Sequence, residues 1–137
     1  MPERADEFAL GNDGGLFAHA LAAVRRCGGV LGHPEGSAAW RWHGMRAAGT
    51  GPDEYGGWTM EVSQYDWGHR AIKRTWLYVV GVDVRTVLAW IPTQSTDSAP
   101  VRVEMMGKAE RERTPPAFAE FLLHIARASE VRQRAAA

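Results

Sequence analysis

The residues from Val62 to Val80 constrain this chain more than any others. Thr75 to Val80 is a run of β-branched and aromatic residues, the composition of a strand covered on both faces. Just upstream, Trp58, Met60 and Val62 alternate with Thr59, Glu61 and Ser63, which predicts a second strand with one buried face. The segment between them is polar and hinged at Gly68. Two strands joined by such a tip are expected to be antiparallel neighbours. The tip crowds Arg70, Lys73 and Arg74 into five positions, with Gln64, Tyr65, Trp67 and His69 beside them. Cations next to aromatic rings on a loop held by a strand suit a phosphate or a nucleobase. They also suit an ordinary solvated loop with a few surface arginines, and on spacing alone that reading comes first.

Charge narrows the functional classes. The 137 residues carry 16 basic and 16 acidic side chains, so no basic field covers the whole molecule and nucleic-acid contact has to rest on a local patch. The length suggests one domain, and a hydrophobic content of 45% marks it as globular. Cys27 is the single cysteine, which excludes an intrachain disulfide and a cysteine zinc site and fits a reducing compartment. The five histidines show no metal-ligand spacing, so no metal is expected. Residues 1–12 read as a loose leader without the pattern of a signal peptide. No apolar run is long enough to cross a bilayer, and a cytoplasmic location is expected.

The remaining elements follow from periodicity and punctuation. Phe17, Ala20, Leu21 and Val24 make one apolar face of a helix from about Gly14 to Cys27, ended by Gly28 and Gly29. Gly29 to His33 reads as a short strand stopped by Pro34. His33 and Glu35, at its carboxyl end, are where an α/β sheet would place ligand contacts in a crevice; Glu35 also suits the first turn of a following helix. Ser37 caps a short helix over 38–43, and residues 44–57 form a glycine-rich loop. Thr86 to Ile91 is read as a short fourth strand and Val101 to Met105 as a further extended piece. Thr114 opens a helix with Pro115 in its first turn and Phe118, Phe121, Leu122 and Ile125 on its inner face. The domain spans 13–128, and the basic tail over 129–137 is expected to fray.

Several runs are similar to phage and prophage proteins related to cytosine-5 DNA methyltransferases. They are Leu16 to Ser37, Gly57-Trp58-Thr59, Gln64, Gly68-His69-Arg70-Ala71, Lys73, Thr75-Trp76-Leu77-Tyr78, and Glu104 to Ala128. The resemblance implies the C-terminal half of the methyltransferase core: an α/β fold with a partial Rossmann-like sheet of about four strands, mixed parallel and antiparallel, and flanking helices. Gly29 to Gly32 would match the fifth strand of that sheet, and 58–63 with 75–80 the antiparallel pair at its far edge. Gln64 and Arg70 would lie near a flipped base. The chain departs from the family in having Gly32 where an acid is usual. It also lacks the Phe-x-Gly-x-Gly loop and the Pro-Cys nucleophile, so no catalytic residue is assigned and S-adenosylmethionine would bind only if another chain completed the site. A sheet cut in this way leaves an open edge at Val30 and Leu31, to be covered by the leader, a second copy or a partner. The functions implied are a catalytically silent fragment that binds DNA or a partner protein through the 64–74 tip, in a bacterial host cell. The alternatives are a phage interaction protein that inhibits a host defence complex and one half of a split methyltransferase.

Overall fold

The computed structural model describes residues 15–92 and 106–136. Helix α1, Leu16–Cys27, buries Phe17 and Leu21. It stops where Gly28 takes a φ of 81°, a left-handed backbone that glycine enters without strain. Strand β1, Gly29–Pro34, follows directly. Helix α2, Ala38–Trp42, is capped by the Ser37 hydroxyl, which accepts from the Ala39 N–H. Then come β2, Trp58–Ser63, a 3₁₀ turn over Gln64–Trp67, and β3, Arg74–Val80. Three helices complete the described chain: α3, Val84–Ala89; α4, Lys108–Glu112; and α5, Pro116–Ala136.

The sheet corrects the expected fold class. It has three strands in the order β1-β3-β2, and both pairings are antiparallel. A partial Rossmann-like sheet with parallel strands is therefore not what this chain builds. The physical reason lies in β3. Its two faces are both apolar, so it takes the centre, and β1 and β2 flank it. β1 runs against β3, with Gly29 opposite Val80 and Pro34 opposite Thr75, and so does not stand as a strand of a parallel array. The antiparallel pairing of 58–63 with the strand ending at Val80 is present, with Met60 opposite Leu77.

The expected strand over 86–91 is instead α3. The Asp83 carboxylate takes the Thr86 N–H at 2.9 Å and the Thr86 hydroxyl at 3.1 Å, the geometry of a helix cap. A cap three residues before a short apolar run decides for a helix what composition alone leaves open. The possible extended piece over 101–105 lies outside the described residues.

Helices cover both faces of the sheet. Alternation along the strands sends Val30, Met60, Val62, Leu77 and Val79 into a core with Val87 of α3 and Phe118, Phe121 and Ile125 of α5. Leu31, Trp76, Tyr78 and Val80 face the other way, onto Phe17, Leu21 and Trp40 of α1 and α2. Val30 and Leu31, expected at an open edge, thus each join a core through their side chains. Among the described residues no further strand pairs with the outer side of β1. No helix among the described residues is long and apolar enough to cross a membrane.

Candidate functional site

The 64–74 tip is a closed loop rather than a loose one. The Gln64 N–H donates to the Lys73 carbonyl, and the His69 N–H to the Gln64 carbonyl, each at 3.1 Å. The Ser63 side chain opens the 3₁₀ turn by accepting from the Tyr65 N–H, and Gly68 closes it at a φ of 104°. The loop folds three of its expected ligand contacts inward. Trp67 is a core residue, with its ring centroid 4.6 Å from that of Phe121 and 5.1 Å from that of Phe118. At 9% exposure it offers little ring surface for a base to stack on. Gln64 is buried, and its Nε2 donates to the Thr75 hydroxyl at 3.0 Å.

His69 is also buried, and its Nδ1 is engaged by its own backbone in either tautomer, with the Ala71 N–H 3.0 Å and the Ala71 carbonyl 3.2 Å away. Nε2 is buried without a hydrogen-bond partner, as is Gln64 Oε1. An unmet buried donor or acceptor costs about 1–3 kcal/mol, so two in one loop need a reason.

The cations stay outside, and each faces a carboxylate. Arg70 pairs with Glu110 of α4, both partly or largely exposed. Arg74 Nε lies 3.8 Å from a Glu35 carboxylate oxygen, both exposed. Burial draws the Lys73 ammonium below the usual lysine pKa, and the nearby Glu112 carboxylate opposes that shift. Glu35, read as a crevice residue, therefore belongs to the tip: its N–H also donates to the Arg74 carbonyl. His33 does not join it. Its Nδ1 lies 2.8 Å from the Ser37 hydroxyl and its ring meets Phe17 edge-on, so it braces the turn into α2.

Tip and α4 together form one face. The two segments carry six cations, Arg70, Lys73, Arg74, Lys108, Arg111 and Arg113, against Asp66, Glu110 and Glu112, with Glu35 as a fourth carboxylate beside Arg74. A groove of about 490 Å³ separates the tip from the α4–α5 junction, lined among others by His69, Arg70, Glu110, Arg113 and Ala117. Sequence reading missed the α4 side of this groove, because the contact joins segments 40 residues apart.

A second polar cluster, also missed, lies under the opposite face of the sheet. The Tyr78 hydroxyl donates to Asp53 Oδ2 at 2.6 Å, and Arg25 Nε donates to the same hydroxyl at 3.3 Å. Asp53 Oδ1 accepts the N–H groups of Tyr55 and Gly57, each at 2.9 Å. The Arg25 guanidinium sits 4.2 Å from the centre of the Tyr55 ring. Burial alone would raise the Asp53 pKa, but the hydrogen bonds from Tyr78, Gly57 and Tyr55 and the Arg25 charge bring it below the usual carboxylate value. Burial, with the bond to Asp53, pushes the Tyr78 hydroxyl up to about 12. The Pro52-Asp53 dipeptide marks a turn in the sequence; that its acid reaches Tyr78 is set by tertiary contact. These groups tie α1, the glycine-rich loop and β3 together, a structural lock. Among the described residues no cluster of His, Cys, Asp and Glu is arranged to hold a metal ion.

Fold and site together define a small α/β protein with an antiparallel sheet between two helical layers and a locally cationic loop face. No protein-family model matches the chain, and no curated protein or solved structure is significantly similar to it.

Proposed function

We propose that this chain is a nucleic-acid-binding protein that acts through the face made by the 64–74 tip and α4. The observation that supports this reading is the local excess of cations in a molecule whose total charge is zero. Exposed ion pairs such as Arg70–Glu110 and Arg74–Glu35 are worth little, so phosphates can displace their carboxylates. Arg70, Lys73 and Arg74 meet the phosphate backbone. Trp67, Gln64 and His69 support the loop from inside. The reading needs no methyl donor and no reacting group.

The test is fluorescence anisotropy with labelled single-stranded and duplex DNA at low salt, comparing the natural chain with Lys73→Ala plus Arg74→Ala. Both residues are at the surface and outside the core, so the fold is expected to survive. The expected result is a loss of affinity of at least roughly fivefold, the scale of two phosphate contacts. Unchanged binding by the double variant, or no binding of either DNA by the natural chain, overturns the reading.

A further inference from the structure

The groove beside the tip differs from the outer face in being concave, with a few donors set in a mainly apolar lining. The Nδ1 of His69 is held by its own backbone at Ala71, which leaves Nε2 as the ring's partnerless polar atom at the groove wall, a donor when Nδ1 accepts the Ala71 N–H. His69 is 6% exposed, and Nε2 has no acceptor. The open end of the 21-residue helix α5 forms another part of the wall, through Pro115, Pro116 and Ala117. Its first turn is short of donors in a particular way. Pro115 and Pro116 have no N–H, and those of Phe118 and Ala119 go to the Pro115 carbonyl. The Ala117 N–H is the one that no described carbonyl takes, at the positive end of the helix dipole. Arg70 and Arg113 supply two guanidinium groups to the lining, and Glu110, the single carboxylate there, is engaged with Arg70.

We infer that this groove seats a phosphate monoester group, with His69 Nε2–H, the Ala117 N–H and the guanidinium groups of Arg70 and Arg113 as its donors. It rests on the nucleic-acid reading in placing the ligand on the same face. A monoester is preferred to a diester because a recess takes a chain end, whereas a diester must leave it in two directions. It also carries more negative charge for a donor-only set. Nε2 lies below the surface, so binding includes a local opening of the groove wall, with Arg70 turning from Glu110 to the phosphate. Glu110 therefore competes with the ligand, and its removal strengthens binding.

The test is a titration of the full chain, with ¹⁵N-labelled histidine and backbone, against three probes followed by NMR. The probes are inorganic phosphate, a short 5′-phosphorylated oligonucleotide and the same oligonucleotide with a 5′-hydroxyl. The expected result is saturable movement of the His69 Nε2 and Ala117 amide signals with the two probes that carry a monoester or free phosphate. Glu110→Gln is expected to tighten phosphate binding roughly two- to fivefold, the reach of one exposed ion pair, and Arg113→Ala to weaken it by roughly threefold. Equal affinity for phosphate and the phosphorylated strand supports a free-phosphate site; a stronger response to the phosphorylated strand supports a strand end. Signals that stay still with phosphate and the phosphorylated strand, or move equally with the 5′-hydroxyl strand, overturn the inference. Neither Lys73 nor Arg74 lines the groove, so loss of the outer-face reading and loss of this one are separate results.

Discussion

Tyr78 is the residue on which most depends. It sits on the central strand, and Gly57 passes so close to its ring that a Cβ at that position would stand 2.2 Å from Tyr78 Cζ. No rotamer of a ring held by Asp53 and Arg25 relieves such a contact. Gly57→Ala is therefore expected to cost about 1–3 kcal/mol, and more if the Asp53 turn is lost with it, measured by urea unfolding. The same cluster gives stability a pH dependence at both ends. Asp53 has its folded pKa below the unfolded value, so its contribution is present above the unfolded pKa and is lost as pH falls through the folded one. Tyr78 has its folded pKa raised to about 12, so its contribution is complete below the unfolded value of 10.0 and is lost as pH rises towards 12. Ultraviolet titration is expected to show one of the three tyrosines ionising late, and Asp53→Asn is expected to flatten the acid limb of the unfolding midpoint against pH. A Tyr78 that titrates with the others would show that the lock is not formed in solution.

Among the elements, the 3₁₀ turn and α5 are coupled through one ring. Trp67 lies against Phe118 and Phe121, so the tip is pinned to the helix that forms the far wall of the groove. Trp67→Ala is expected to cost about 3–5 kcal/mol, the scale of a buried aromatic truncation. A Trp that only offered its face to a base would cost within about 0.5 kcal/mol, and chemical denaturation distinguishes the two. This is also where sequence reading divides into what it can and cannot reach. The stripe Phe118, Phe121, Leu122 and Ile125 declares a helix by its spacing, and the alternation in 58–63 declares a strand, because local geometry decides both. Trp67 carries no comparable signal. An aromatic residue in a polar loop reads the same whether it faces solvent or core, and only the position of α5 resolves it. Residues 86–91 show the converse: their composition suits a strand, and the Asp83 cap, a local feature present in the sequence, makes them a helix.

At the scale of the whole molecule, charge and layer order govern what the protein can meet. The three tip cations Arg70, Lys73 and Arg74 offer about three phosphate contacts, so affinity for duplex DNA is expected to fall with salt at a logarithmic slope of about −3. The anisotropy measurements that compare the tip variant with the natural chain supply this slope when repeated at several salt concentrations. The variant lacking Lys73 and Arg74 is expected to lose about two of those units, and a slope that does not change would remove phosphate contact at those positions. The charge balance itself was legible from composition. That the excess gathers beside the tip was not, because Arg113 comes to the groove there only when the α4 segment packs against it.

By itself the sequence determined the helices over 16–27, 38–42 and from 116 onward, that Thr75 to Val80 is covered on both sides, and that it pairs with Trp58 to Ser63. These are consequences of side-chain periodicity and of capping and turn residues, which act within a few positions. Only the tertiary structure decided that β1 returns antiparallel to β3 and that the sheet closes at three strands in the order β1-β3-β2. A β1 sequence with apolar residues on both faces satisfies either pairing direction. The choice rests on which neighbour buries it best, and that neighbour lies more than forty residues away.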